Sequence, residues 1–331
     1  MSLVDSLRSA IEVRAPLLKS LGEDTTGARL LHGAAEGHPG LAIDRYGPIL
    51  LIQTWREPLN ADVIPALLET ASEALGTPLI AVWNHRNKTR WTDFRTWHRP
   101  EIPDDPEVLE HGLRFDATPR HAGNDPLLFL DLRAGRRRIR AESQGKTVLN
   151  LFAYTCGVGV AAMAGGATEV WNVDFARSAL DLGRKNMRRN GDDEFFATVH
   201  EDVFPVIRQL AGLKLGGRRG SVPRFQKYAQ RQFDLVVLDP PRWAKTPWGA
   251  VDVVNDYPSL LKPALLATTP GGRLLVCNNA AQVPLDGWLD VIRRCGDKCE
   301  RPIQSLEVIP PDADFPSFDG NHPLKMAWLG V

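Results

Sequence analysis

The sequence has 331 residues, long for one domain and comfortable for two. Forty basic residues against forty acidic ones leave no formal net charge, so a nucleic-acid partner would have to be held by local patches rather than by a global field. Hydrophobic residues make up 43% and charged residues 24%, as in globular protein. No apolar run approaches the ~20 residues of a membrane span, and Met1–Asp5 does not open a secretory signal. The four cysteines, Cys156, Cys277, Cys295 and Cys299, lack paired CxxC spacing, so no metal site is expected and free thiols in a cytoplasmic setting are.

Leu3, Leu7, Ile11, Leu17, Leu18 and Leu21 recur at helical spacing and predict an amphipathic helix over the first 25 residues. Short apolar runs punctuated by glycine follow, Arg29–Gly33, Gly40–Gly47 and Ile49–Gln53, and read as a β-hairpin. A helix is expected over 60–75, a strand over Leu79–Trp83 and a further hairpin around Val108–Phe115. Together they form a small α+β domain over 26–120. From about 126, strand-like runs alternate with helical ones. The strands are Thr147–Phe152, Glu169–Val173, Phe195–His200, Phe233–Asp239, Gly272–Cys277 and Ile303–Ile309, and Ala176–Arg189 and Tyr257–Ala267 are helical. Such alternation predicts a parallel sheet covered by helices on both faces, over 121–331. Residues 212–232 break the pattern and read as a surface insertion.

Open parallel sheets bind ligands beyond the carboxyl ends of their strands, where strand order reverses. Four predicted strand ends carry suitable groups. Asn150–Gly159 is rich in small residues, which let backbone approach a ligand at a helix start. Asp174 follows about twenty residues later, where a carboxylate can accept ribose hydroxyls, although a plain helix cap would also explain it. Glu201-Asp202-Val203 offers an acid to an adenine amino group. Asp239-Pro240-Pro241-Arg242-Trp243 forms a rigid turn with free carbonyls after a strand-end acid. The set points to an adenosine-type cofactor.

Val148–Gly159, Val173-Asp174, Glu201–Val203, Asp239–Trp243 and Gly271–Asn279 resemble motifs I, II, III, IV and VI of class I S-adenosylmethionine-dependent methyltransferases. The chain is most similar to the bacterial large-subunit ribosomal RNA cytosine-C5 methyltransferases. Asn150–Thr155 resembles that family's first motif, Leu128–Arg133 its segment before the sheet, and Leu31-His32-Gly33 with Pro39–Gly47 its central hairpin domain. The resemblance implies a Rossmann-like, mostly parallel seven-stranded sheet with a smaller N-terminal α+β domain, and S-adenosyl-L-methionine as cofactor. It assigns cofactor contacts to Phe129, Asp131, Arg133, Asn150, Phe152, Tyr154, Thr155, Gly157, Asp174, Phe175, Asp202, Val203 and Asp239. Three departures stand out. Cys156 occupies a usual glycine, Leu132 and Gly135 replace usual polar residues, and the RNA-binding PUA domain with which the family usually begins is not expected here.

Carbon 5 of a pyrimidine is a poor nucleophile. A cysteine thiolate adding to carbon 6 makes carbon 5 able to attack a methyl sulfonium; a base then removes the carbon-5 proton and the thiolate leaves. Cys277, at the end of the fifth predicted strand, matches the family's nucleophile position, with Asp239 as catalytic partner; the bland reading is a small apolar residue in a buried strand. Asn278-Asn279 resembles a pair in guanine-N7 ribosomal RNA methyltransferases, which lack a cysteine nucleophile, and so supplies a rival. Pro240, Pro241 and Trp243 are expected against the target base, with Trp243 stacking on it or packing the cleft wall.

RNA, specifically large-subunit ribosomal RNA, is the expected partner, with no membrane partner and a homodimer left open. Two stretches mix bases with aromatics or lack acids: 85–99, from His85 to Arg99, and the insertion with Lys214, Arg218, Arg219, Arg224, Lys227 and Arg231. Arg218 and Arg219 are the expected phosphate contacts. Arg136-Arg137-Arg138 and Arg140 either reach phosphate or solvate a helix. A non-catalytic RNA-binding assembly factor and an NAD-dependent dehydrogenase are the readings from other classes; Asp239-Pro240-Pro241 disfavours the latter.

Overall fold

The Ser2 hydroxyl accepts the Asp5 N–H at 3.2 Å and so starts helix α1 (Leu3–Leu21), whose Leu7, Ala10 and Ile11 are buried. The structure is a computed structural model that describes residues 1–86, 101–119, 125–215 and 224–331, and it divides into two compact units. The first comprises Met1–Asp131 with Asp312–Gly320. Here β1 (Gly27–His32), β2 (Leu41–Tyr46) and β3 (Ile49–Thr54) run antiparallel in sequence. Helix α2 (Ile64–Leu75) crosses over to β4 (Ile80–His85), which lies parallel to β3. Leu30, Ile43, Ile52 and Leu67 pack with Leu7 and Ile11 into one core. Burial of each such side chain contributes roughly 1.5–3 kcal/mol. A hairpin, β5 (Glu107–Glu110) and β6 (Leu113–Asp116), follows, and the Asp314 carboxylate accepts the Arg29 N–H at 3.0 Å.

The second unit comprises Leu132–Pro311 with Asn321–Val331. In chain order it contains α3 (Arg133–Glu142), β7 (Thr147–Leu151), α4 (Gly157–Ala164), β8 (Glu169–Asp174), α5 (Arg177–Arg188), β9 (Phe196–His200), α6 (Val203–Leu210) and β10 (Phe233–Leu238). A hairpin follows, β11 (Trp243–Thr246) and β12 (Gly249–Asp252), then α7 (Pro258–Leu266), β13 (Thr268–Asn278), α8 (Leu285–Lys298), β14 (Ser305–Ile309) and β15 (Lys325–Gly330). The sheet order is β14-β15-β13-β10-β7-β8-β9, parallel except for β15, which is antiparallel to both neighbours. This is the expected α/β, mostly parallel seven-stranded sheet. Strand order reverses at β7, so the ligand crevice falls beyond the carboxyl ends of β7 and β10.

The sequence reading omitted β15 and the β11–β12 hairpin. Met326-Ala327-Trp328-Leu329 is an apolar run of strand length, and Pro247-Trp248-Gly249 is a turn signal; both were legible but fell between longer patterns. No helix among the described residues is long and apolar enough to cross a membrane.

Candidate active site

The pairings Leu151↔Val173, Leu151↔Leu238 and Leu238↔Val276 set four strands in register, so the next residues, Phe152, Asp174, Asp239 and Cys277, stand at the same sheet edge.

Between β7 and α4 the chain takes a left-handed backbone at three non-glycine residues, Phe152 (φ 59°), Tyr154 (φ 49°) and Cys156 (φ 60°). Each costs on the order of 1–3 kcal/mol and needs outside support. The Ala153 N–H donates to Val173 O at 3.0 Å, the Tyr154 N–H to the Asp174 carboxylate at 2.9 Å and the Cys156 N–H to Ala153 O at 2.7 Å. The Thr155 carbonyl accepts Asn186 Nδ2 at 3.2 Å. Cys156, where glycine is usual, is fully buried, and burial pushes its thiol well up, so it is an inert packing group. Its space comes from Gly183 of α5: a Cβ there would lie 2.3 Å from Sγ. Gly157 opens α4 and is buried.

Asp174, 5% exposed, accepts Ala176 N–H on Oδ1 at 2.7 Å and Tyr154 N–H on Oδ2 at 2.9 Å. It therefore joins two loops instead of capping α5 alone, whose N-cap is Ala176. Burial raises its pKa, against the pull of the Ala176, Tyr154 and Phe175 N–H groups and of the nearby His200. A carboxylate offers about four acceptor positions, so capacity remains beyond these N–H groups. Phe175 beside it is exposed, and its carbonyl accepts His200 Nε2–H at 3.1 Å. Asp202 caps α6 through Oδ1, which accepts Phe204 N–H at 2.9 Å, while its Oδ2 is buried without a hydrogen bond. Thr246 lies beside that carboxylate but donates its hydroxyl to Gly249 O at 3.2 Å. Val203, the first residue of α6, is buried. A ribose diol and an exocyclic amine are donors, and Asp174 and Asp202 present acceptors with capacity left. The residues fit the adenosine part of S-adenosylmethionine.

Asn150 lies elsewhere than the sequence reading has it. Its Nδ2 donates to Asn172 Oδ1 at 2.9 Å inside the sheet under Gly159 of α4, where a Cβ would meet Asn172 at 2.1 Å. Buried amides must pair, and this one pairs across strands rather than at the ligand edge. Arg133 opens α3 with no exposure, while the exposed Phe129 and half-buried Asp131 belong to the first unit.

On the other side of β7, Asp239 is half-buried, Pro240 buried, Pro241 half-buried and Trp243 63% exposed. Cys277 does not close its strand. β13 runs on to Asn278, the thiol has no exposure, and the Cys277 carbonyl accepts the buried Tyr257 hydroxyl at 2.9 Å. Asn279 is the exposed residue just beyond. Sequence reasoning gave no role to Tyr257, Thr246 or Lys325, because only the folded sheet brings them to these turns.

Of the expected basic surface, Arg218, Arg219 and residues 87–100 lie outside the described residues. Arg231 is spent within the fold. It forms a two-pronged ion pair with Glu169, one contact at 3.0 Å, and covers the rings of Trp171 and Phe233. Arg136 is buried, and Arg138 pairs with Glu307 of β14 over Trp328, so neither simply solvates its helix. Arg231 and Arg138 thus each meet a carboxylate and a ring of the second unit, a role in the fold beside the phosphate contact expected of them.

The doubly wound sheet, the reversal of strand order at β7 and the strand-end acids place the chain among α/β proteins with a nucleoside-type crevice at that edge. The chain belongs to the S-adenosylmethionine-dependent methyltransferase family, which it matches over residues 28–329. It is 30% identical over 320 residues to a "Ribosomal RNA large subunit methyltransferase I" of Aeromonas hydrophila, spanning 94% of this chain and 75% of that protein. To the protein of the same name in Aeromonas salmonicida it is 29% identical over 319 residues, 94% of this chain and 74% of the relative. The fold is shared with SMU.776, solved in complex with SAH, at TM-score 0.79 and 23% identity over all of this chain and 83% of that one. The protein is an S-adenosylmethionine-dependent methyltransferase.

Proposed function

We propose that this chain methylates a base of large-subunit ribosomal RNA, carbon 5 of a cytosine. Kinship with proteins named for large-subunit ribosomal RNA methylation, over more than nine-tenths of the chain, carries the reading. When bound, S-adenosylmethionine supplies a methyl group on a sulfonium, an electrophile that needs no acid catalyst. Asp174 and Asp202 hold the adenosine part through their remaining acceptor capacity. The Asp239 carboxylate and the Pro240 carbonyl orient the target base, Trp243 stacks on it, and Asp239 takes the proton released by the target atom. In the covalent route the Cys277 thiolate bonds to carbon 6 and leaves once carbon 5 has lost its proton; Sγ has no exposure in this structure.

That burial favours a second reading: direct methylation of a base nitrogen with Asn279 at the substrate edge and no covalent step. RNA carrying 5-fluorocytosine at the target separates the two. The covalent route predicts a stable protein–RNA adduct that needs the cofactor and disappears in Cys277→Ala. Full methylation by Cys277→Ala, with no adduct in the wild type, overturns it and leaves the nitrogen reading.

A further inference from the structure

The turn that follows Cys277 is held from several sides. The Tyr257 hydroxyl donates to Cys277 O at 2.9 Å. Asn278 Nδ2 donates to Val253 O at 3.1 Å, and Asn278 Oδ1 accepts the Ala280 N–H at 3.0 Å. Lys325, at the start of β15 and 6% exposed, donates its Nζ hydrogens to the carbonyls of Ala280 (3.0 Å), Pro323 (3.2 Å) and His322 (3.4 Å). Three ammonium hydrogens meet three carbonyls, which leaves the buried cation fully satisfied. A buried cation is costly even so, and burial lowers the Lys325 pKa. A methionine would fill the same volume more cheaply, so the charge points to a demand for rigid carbonyl positions.

Within this clamp Cys277, Asn278 and Ala280 have no exposure, and Asn279 alone presents its side chain. From the Leu238↔Val276 pair, the turn lies at the same sheet edge as Asp239-Pro240-Pro241. A carboxamide both donates and accepts, which suits the edge of a nucleobase. Held on a fixed backbone, it discriminates geometry that a mobile side chain would tolerate.

We propose that Asn279 is a substrate-contacting residue that reads the edge of the target base, and that Lys325 is the positioning residue that fixes the turn carrying it. The proposal rests on the reading of the chain as an RNA base methyltransferase. Asn279 is exposed, so Asn279→Ala leaves folding intact, and it lowers kcat/KM for large-subunit ribosomal RNA roughly tenfold or more with cofactor affinity unchanged. Lys325→Met raises amide hydrogen exchange at residues 278–280 of the full chain and lowers kcat/KM in the same sense, again without loss of cofactor affinity. If Lys325→Met does not fold, Tyr257→Phe removes another tie and is measured the same way. Wild-type kcat/KM within twofold in Asn279→Ala overturns the contact, and unchanged exchange at 278–280 overturns the clamp. Absence of any transfer to RNA by the wild type overturns the functional reading and the Asn279 assignment with it, while the exchange measurement still decides the clamp.

Discussion

The ends of β7, β8 and β9 and the ends of β10 and β13 share one sheet edge and treat polar groups in opposite ways. On the β7–β9 side the acids are drawn inward. Asp174 is 5% exposed and takes one backbone N–H on each oxygen, and Asp202 keeps a buried oxygen without a donor. On the β10–β13 side the backbone is locked and side chains stand outward, with Trp243 63% exposed and Asn279 exposed on its clamped turn. The first arrangement suits a small ligand whose hydroxyls and amine enter enclosed acceptors. The second suits a large partner that offers one base to a fixed edge.

The enclosed side of the edge is most sensitive at Asp174. Asp174→Ala should weaken S-adenosylmethionine binding about ten- to a hundredfold, roughly 1.5–3 kcal/mol, as read by calorimetry. Burial raises the Asp174 pKa above its ordinary 3.8. The ionised form accepts ribose hydroxyls, so affinity should fall as pH drops toward that raised value, and Asp174→Asn should flatten the dependence. The sign for folding is opposite: the fold favours the protonated acid, so this group's contribution to ligand-free stability is largest at low pH and is lost as pH rises through the raised pKa. Unchanged affinity in Asp174→Ala would leave the carboxylate a loop tie only.

A smaller effect is expected in the same loop. Gly183→Ala places a Cβ 2.3 Å from Cys156 Sγ, and should destabilise the protein by about 1–3 kcal/mol in denaturant unfolding. Adding Cys156→Gly should recover more than half of that loss, a coupling expected of touching residues. Strictly additive effects would mean that the thiol and Gly183 do not share the space.

The cofactor side was legible because its chemistry sits in short words at fixed offsets from predicted strands. Asp174, Asp202 and Asp239 all fall at or just past strand ends. Asn150 misled because a strand residue one step short of the end faces the sheet's covered side, where Asn172 takes its amide. The burial of Cys277 was not legible for a related reason: alternation gives a strand's existence more firmly than its last residue, and one further residue in β13 leaves the thiol inside. Lys325 and Tyr257 lie 45 and 20 residues from the carbonyls they hold, at Ala280 and Cys277, and no local pattern announces such ties. Arg231 looked like a surface cation until Glu169, 62 residues away, was brought against it.

Mass-spectrometric mapping of ribosomal RNA in cells with and without the protein reads directly whether this sheet edge transfers a methyl group to a base of large-subunit ribosomal RNA. One methylated base in large-subunit RNA should be lost without the protein, restored by the wild type and not restored by Asp174→Ala. An identical methylation map in the two cells would rule that transfer out.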